Sequence, residues 1–488
     1  MSPIDNHALS LLRAALSSYA TISLPGEPGY SIKRWAANAE RQAALVACPA
    51  TPQDVVHILA FVQGRTPYES QEKLDVAVKC GGHNASGASS SDGGVVIDLQ
   101  PNMHAVRVDP EEKLAYVGGG ALIGPLDEAV QKHGLAAPVG VVSQTGIGGL
   151  TLGGGIGWLS GQHGLVIDNL VAATLVTSRG DIVSTSEDEN PELLWALRGG
   201  GGNFGVVTEF VFKLYDQRPD LYHACLTFSP SALPSVADEI NAWLADRCIL
   251  ETGLLLFVND PTKQPILLMH LLYNGEAKEG ESKFARFEKL KPHSYETQVI
   301  KYTDMNRLTD AAASPGDSRI RRGHFVPVTS AGIPFDLMRT TFDTWHQLTQ
   351  EHPAATKSIM MWEFYSAEKW SKVPSNATAY VHRNPTYNVN NIVRWSDPAF
   401  TPGALPVAKA IDMAFTQARS NHFAPHLLVG GGYANYLDIE SQNTSSNMLH
   451  KRFGSNYERL VQVKTKYDPD NLFCKWFGIP PNTSAEAS

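Results

Sequence analysis

Cysteine is scarce in this sequence. Five residues in 488 (Cys48, Cys80, Cys225, Cys248 and Cys474) lie scattered, odd in number and without metal-like spacing. They define neither a disulfide framework nor a zinc site, and free thiols in a reducing compartment are expected. No apolar run approaches the roughly 18 residues of a membrane span. The opening stretch MSPIDNHALSLLRAALSSYA lacks the basic region and apolar core of a secretory leader, so a cytoplasmic location is expected. The triplets at Asn84, Asn376, Asn443 and Asn482 match the glycosylation pattern but would go unused there. Positive charge is also short: 40 Lys and Arg against 49 Asp and Glu leave a net charge of −9. Nucleic acid and anionic membranes both select a basic face, so neither is an expected partner.

What is present is a globular composition, 43% hydrophobic and 18% charged, in a chain long enough for two or three domains. Strand and helix alternate at the start. QAALVACPATPQDVVHILAFVQ reads as a short strand, a Pro-containing turn and an amphipathic helix over about Pro52 to Gln63. LDVAVKCGGHN, GGVVIDLQ and KLAYVGGG read as three further strands, and ALIGPLDEAVQKHG as a helix that stops at Gly134. VVTEFVFKLY alternates as a strand should. From about Asp216 to His426 the runs LTFSP, GLLLFVN, PILLMHLLY, SIMMWEFYS, TAYVHR and YNVNNIVRW are strand-like and separated by helical segments, which predicts an antiparallel sheet backed by helices. SNYERLVQVKTKYDPDNLF reads as a helix ended by Asp-Pro.

Glycine is dense in three places: CGGHNASG, VGVVSQTGIGGLTLGGGIG and GGGGNFG. Such density weakens a fold entropically and makes sense where backbone must approach a ligand closely. A nicotinamide-binding βαβ unit needs a helix directly after its glycine turn, whereas GGHNASG leads to another strand, GGVVIDL. A turn of inward-pointing amides cradles a pyrophosphate without a helix. Taken alone, CGGHNASG is a tight turn with a solvated histidine.

It is not alone. VAVKCGGHNASGASSSDGGVVIDL, VSQTGIGGLTLGGGIGWLSGQHGLVIDNL, ELLWALRGGGGNFGVVTEF and GGYANYLDIE with RLVQVKTKYDPDNLF, in that order, resemble the berberine-bridge-enzyme-like branch of the FAD-linked oxidases, within the vanillyl-alcohol-oxidase/p-cresol-methylhydroxylase superfamily. The texture is similar to the 6-hydroxynicotine-oxidase type. The resemblance implies an α+β fold. A two-subdomain FAD-binding domain of the p-cresol-methylhydroxylase type would take residues 1–215, a substrate domain with a helix-backed antiparallel sheet 216–429, and a C-terminal segment 430–488 would return to the FAD domain. It implies FAD as the cofactor and His83 as its covalent attachment point. Gly81, Gly82, Asn84, Gly87 and Ala88 would wrap the pyrophosphate, and Cys80 belongs to the implied cofactor set. The position of a second attachment cysteine in relatives is Val142 here, so a single link is expected, which argues for a smaller or more enclosed substrate. Thr145 falls where relatives gate oxygen access. Gly146, Gly149, Leu150, Gly153, Gly154, Gly157, Trp158, Asn203, Gly205, Val206, Val207 and Asn435 complete the implied cofactor set.

For catalysis the resemblance points to Tyr433, first tyrosine of the segment YANY, though a phenol of pKa near 10 is a weak base unless its surroundings lower it. Glu363, in SIMMWEFYS, is the one carboxylate considered on the substrate-facing sheet; a strand glutamate more often faces solvent. Ile156, Trp362, Asn388 and Asn390 are expected to line the substrate pocket, the last two replacing a Lys/Glu/Gln pair of plant alcohol-oxidising relatives. His163, Asp168 and Asn169 are expected to shape a loop, and His382 and Arg383 to sit in a structural strand. The function implied is an FAD-dependent oxidase of a small apolar or aromatic metabolite in secondary metabolism: hydride passes to flavin N5, and O₂ takes the electrons to give H₂O₂. The alternative is a flavin-containing cyclase or dehydrogenase that uses FAD structurally or without O₂. No metal is expected.

Overall fold

A computed structural model describes residues 4–428, 431–438 and 445–482. The triplet asparagine Asn443 lies outside them.

The chain first builds a four-stranded sheet from β1 (Thr21–Ser23), β2 (Leu45–Cys48), β3 (Val76–Lys79) and β4 (Val95–Asp98), in the order β1-β2-β4-β3. β2 and β3 each pair with β4 in parallel. The crossover helix Pro52–Val62 starts where the sequence places it, at a capping box between Thr51 and Asp54. It buries Val55, Ile58, Leu59 and Val62 against Leu45, Ala47, Val95 and Ile97 of the sheet. β3 ends at Lys79, so the strand delivers Cys80 to His83 directly into the turn that follows.

β5 (Val106–Asp109), β6 (Leu114–Gly118), the two-residue β7 (Leu135–Ala136), β8 (Leu170–Val176), β9 (Ile182–Thr185) and β10 (Val206–Lys213) come next. Five of them form an antiparallel sheet in the order β5-β6-β10-β8-β9, and β7 pairs with β11 (Tyr215–Asp216). The helices Ile123–Gln131 and Ile147–Leu152 pack with this sheet.

The third sheet is antiparallel throughout: β12 (Asp220–Phe228), β13 (Glu251–Asn259), β14 (Pro265–Tyr273), β15 (Ser294–Lys301), β16 (Ser318–Pro327), β17 (Ile359–Phe364) and β18 (Thr386–Trp395), in the order β15-β12-β14-β13-β17-β18-β16. Alternation sorts its side chains between two cores. Tyr222, Phe257, Met269, Phe364 and Trp395 pack with the helices Leu233–Asp246, Ala277–Glu288, Phe335–Glu351 and Thr401–His422. Leu254, Leu256, Met361 and Phe325 join the core of the second sheet instead.

Two expectations fail here. TAYVHR is not a strand: residues 378–383 run as a buried irregular segment, with Ala379 N–H donating to Trp195 O and Tyr380 N–H to Arg198 O. A loop can bury such an apolar stretch because the helix Pro191–Leu197 ends beside it and supplies the acceptors. His382 and Arg383 therefore sit in this segment, where Arg383 pairs with Asp168 at 2.8 Å. Conversely, β15 and β16 are strands with no apolar run to announce them.

Candidate active site

One elongated cavity of about 250 Å³ runs between the sheets, and glycine makes much of its wall. The turn after β3 contributes Cys80 to Asn84; the helix Ile147–Leu152 and its flanks contribute Thr145 to Gly153; Gly201 to Gly205 lead into β10. At Gly81 and Gly146 the backbones touch: a Cβ on Gly81 would stand 2.5 Å from Gly146 N, and one on Gly146 2.3 Å from Gly81 N. Only glycine permits that approach. At Gly149 and Gly202 an added Cβ would meet nothing within 4 Å, so there the wall opens onto the cavity. Asn84 shapes its own loop, its Oδ1 accepting from Ser86 N at 2.9 Å and Ala88 N at 3.1 Å.

His83 lines the cavity with its ring stacked on Trp35, centroids 4.1 Å apart. Its Nε2 is buried with no hydrogen-bond partner among the described residues. Burial first, then the guanidinium groups of Arg321 and Arg319, hold its pKa well below the usual imidazole value, so the ring is neutral. Trp35 carries Arg319 on its other contacts, 4.3 Å from the ring centre.

Tyr433, Asn435 and Tyr436 supply part of the wall. Tyr433 Oη accepts from Gly155 N at 3.0 Å and from Asn435 Nδ2 at 2.8 Å, and Asn435 Nδ2 also donates to Leu150 O at 3.1 Å. Burial raises the Tyr433 pKa above its ordinary value, and those two donors act against the rise. Tyr436 donates to Glu363 Oε1 at 2.8 Å.

The sequence-read positions divide clearly. His83, Cys80, Gly81, Gly82, Asn84, Ala88, Val142, Thr145, Gly146, Gly149, Leu150, Gly153, Asn203, Gly205, Val207, Asn435, Ile156 and Tyr433 line the cavity. Gly87, Gly154, Gly157, Trp158 and Val206 do not. Gly154 lies under the Tyr380 ring, Gly157 against Val139 O, and Trp158 is buried edge-on to Tyr365. Val206 points to the first sheet's core because the strand alternates, while Val207 faces the cavity. Trp362 is a correction: it lies on the helix-backed face of the third sheet, 6.0 Å from Phe415. Asn388 and Asn390 are buried on the opposite face and stop short of the cavity lining. Glu363 does not face solvent; it has no exposed surface. His163 ends the short helix Ser160–His163 and stacks on Tyr215 at 3.8 Å, and Asp168, in the 3-10 turn Val166–Asn169 that follows, pairs with Arg383.

Arg321, Tyr436, Ser89, Cys474 and Trp476 line the cavity without having been read as site residues. The only signal for Arg321 is its spacing in SRIRRGHFVP, two residues from Arg319, which puts both on one face once the segment is a strand.

A neutral, unpartnered imidazole in a long glycine-walled cavity is a fit for a dinucleotide cofactor carried on a histidine. The comparisons agree on the dinucleotide. A family model for an FAD binding domain matches residues 43–186, and one described as berberine and berberine like matches 432–480. FAD-linked oxidoreductase pgmH of Aspergillus terreus is 31% identical over 466 residues, covering 92% of this chain and 91% of that protein. (R)-6-hydroxynicotine oxidase of Paenarthrobacter nicotinovorans is 30% identical over 428 residues, with 86% and 88% covered. The crystal structure of 6-hydroxy-D-nicotine oxidase from Arthrobacter nicotinovorans matches with a TM-score of 0.79 at 26% identity, over 96% of this chain and 99% of that one. The chain belongs to the berberine-bridge-enzyme-like family of FAD-linked oxidoreductases. It is an enzyme, its cofactor is FAD, and no helix among the described residues is long and apolar enough to cross a membrane.

Proposed function

We propose that this enzyme is a cytoplasmic oxidase of a small apolar or aromatic alcohol or amine of secondary metabolism, oxidative ring closure included. Its flavin is held by one covalent bond, to His83, and O₂ is its electron acceptor. The observation that carries the reading is His83 itself, because a neutral ring with an unpartnered Nε2 keeps a lone pair for bond formation. Val142, where relatives carry a second attachment cysteine, supports a single link. The glycines of the three dense stretches, with Asn84, Ala88, Thr145 and Asn203, would hold the dinucleotide. In the same reading residues 1–215 and 430–488 hold the cofactor and 216–429 cover it.

When bound, FAD accepts a hydride from the substrate. The chain's own part is to orient the substrate and manage its proton. Tyr433, its oxygen fixed by two donors, has its own O–H available for a substrate oxygen or nitrogen. Ile156, next to the Gly155 that fixes Tyr433, adds an apolar neighbour. The relative named for 6-hydroxynicotine supports a small heteroaromatic substrate.

The test has two parts. Denatured wild-type protein on a gel should keep its flavin fluorescence and His83→Ala should lose it; a fluorescent His83→Ala band ends the attachment proposal. Anaerobic incubation with a panel of benzyl alcohol, benzylamine and 6-hydroxynicotine should bleach the flavin, and air should restore its colour quickly with formation of H₂O₂. Reoxidation taking many minutes would make the enzyme a dehydrogenase.

A further inference from the structure

The ring that faces into the cavity is held by a residue outside it. Trp35, just before the 3-10 turn Ala37–Ala39, is 6% exposed and takes no part in the cavity lining. Its indole lies flat on the imidazole of His83, with the two ring planes 15° apart. Rings stacked in this way restrain one another's attitude. His83 Nε2 has no hydrogen-bond partner among the described residues, so no bond at that atom sets where it points. The contact that does so is the indole.

Trp35 is itself fixed on several sides. Its backbone N–H donates to Gly82 O at 3.1 Å, which ties it to the residue before His83. Gly82 has a φ of +66°, a conformation that glycine adopts freely and other residues do not, so the turn beneath His83 is set as well. The indole Nε1 donates to Ala313 O at 2.7 Å, and the Trp35 carbonyl accepts from Arg319 Nη1 at 2.8 Å. The guanidinium carbons of Arg319 and Arg321 stand 4.3 and 5.5 Å from the indole centre, within reach of a cation–π attraction. Both arginines lie on β16, the edge strand of the third sheet, and Ala313 lies in the loop before it. The third sheet therefore grips the turn after β3 through one side chain. The same two arginines help to keep the imidazole neutral.

We propose that Trp35 is a positioning residue for covalent flavin attachment: its indole sets the plane of the His83 ring and so aims Nε2 into the cavity. The proposal rests on the His83 reading above. Attachment replaces one C–H bond of a flavin methyl group by a bond to Nε2. The proton leaves to solvent and the electron pair passes to O₂, so the chain is neither oxidised nor reduced. Trp35 touches none of the reacting atoms and acts through His83. Bond formation is steep in geometry, a misplacement of about 1 Å costing about 10²-fold in rate. Loss of the indole should therefore slow attachment and spare binding, because the glycine walls of the cavity are untouched.

Full-length apoprotein from riboflavin-limited cells, mixed with FAD in air, lets attachment be timed as the flavin fluorescence retained on a denaturing gel. Trp35→Leu should attach flavin about 10²-fold more slowly than wild type, and Trp35→Phe, which keeps a ring to stack on, within about tenfold of it. FAD held by the undenatured proteins should be equal in all three. Trp35→Met, with a flexible side chain that fills irregular space, takes the place of Trp35→Leu if that variant does not fold. A second readout needs no flavin. In apoprotein carrying ¹³C-labelled histidine, the Cε1–H signal of His83, assigned by its loss in His83→Ala, should be shifted upfield by the indole. It should return towards an unstacked histidine in Trp35→Leu and not in Trp35→Phe. Attachment in Trp35→Leu as fast as wild type, or slowed only in step with lost FAD binding, overturns the proposal. So does a His83 signal that Trp35→Leu leaves unmoved. A wild-type protein that attaches no flavin overturns the His83 reading and this proposal together, whereas an unimpaired Trp35→Leu beside a wild type that attaches overturns this proposal alone.

Discussion

Tyr433 is held at its oxygen by a backbone amide and an asparagine, and no acceptor among the described residues takes its phenol proton. Removing that hydroxyl should matter to the reacting substrate and not to the cofactor. Tyr433→Phe is expected to lower turnover about 10²–10⁴-fold with flavin content unchanged, measured by rapid-mixing flavin reduction beside the absorbance ratio of the purified protein. A loss under tenfold would take Tyr433 out of the chemistry. At this scale the sequence speaks unevenly. His83 and Tyr433 stand in ordered motifs, and the cavity receives both. Glu363 stands in a strand whose two faces are both buried, so alternation could not tell a solvent position from an interior one. Trp362 was lost to the same ambiguity: one residue along the strand, it looks into the other core.

Among elements, the contact that positions the site is between two turns, one after β3 and one before the helix Ile147–Leu152. Their backbones meet at Gly81 and Gly146 with no room for a methyl group. Backbone cannot yield as a side chain can, so Gly146→Ala should drive the turns apart and destabilise the apoprotein by about 1–3 kcal/mol. Gly149→Ala, where the added carbon enters open space, should leave apoprotein stability alone and lower flavin occupancy instead. Thermal unfolding of both apoproteins, with flavin-to-protein ratios, checks the pair; equal melting shifts would contradict it. The glycine density of both stretches was legible, and so was the helix over Pro52–Val62, because caps and turns are local signals. β16 was not, since arginines at alternate positions do not look like a core-facing strand until Trp35 and Tyr436 are seen beneath them. TAYVHR erred the other way: apolar enough for a strand, it is satisfied by a neighbouring helix end.

For the whole molecule, three buried carboxyls set a common pH response. Asp127, on the helix Ile123–Gln131, accepts from Tyr302 Oη at 3.1 Å and Asn306 Nδ2 at 2.7 Å, joining the second sheet's helix to the segment after β15. Burial pushes Asp127, Glu363 and Asp438 each up to about 7. Unfolded, they would ionise near 3.8 for the aspartates and 4.5 for the glutamate. Between those values these three groups bind more protons folded than unfolded, so their contribution to stability falls as pH rises. Buried histidines held well below 6.5, His223 and His270 among them, pull the other way, so the carboxyl effect is read by difference: relative to wild type, Asp127→Asn should lose melting temperature at about pH 5 more than at about pH 7.5. An Asp127→Asn curve that parallels the wild type across this interval, or separates from it the other way, would refute the sign. One further consequence belongs to the part of the cavity wall that Tyr433, Asn435, Tyr436 and Phe473 to Trp476 supply from late in the chain. A nascent polypeptide that has emerged only as far as β18 already owns His83 and all three glycine stretches, yet still lacks that wall. Cofactor loading is thus expected only after those residues emerge, and a chain stopped after β18 should be purified without flavin colour.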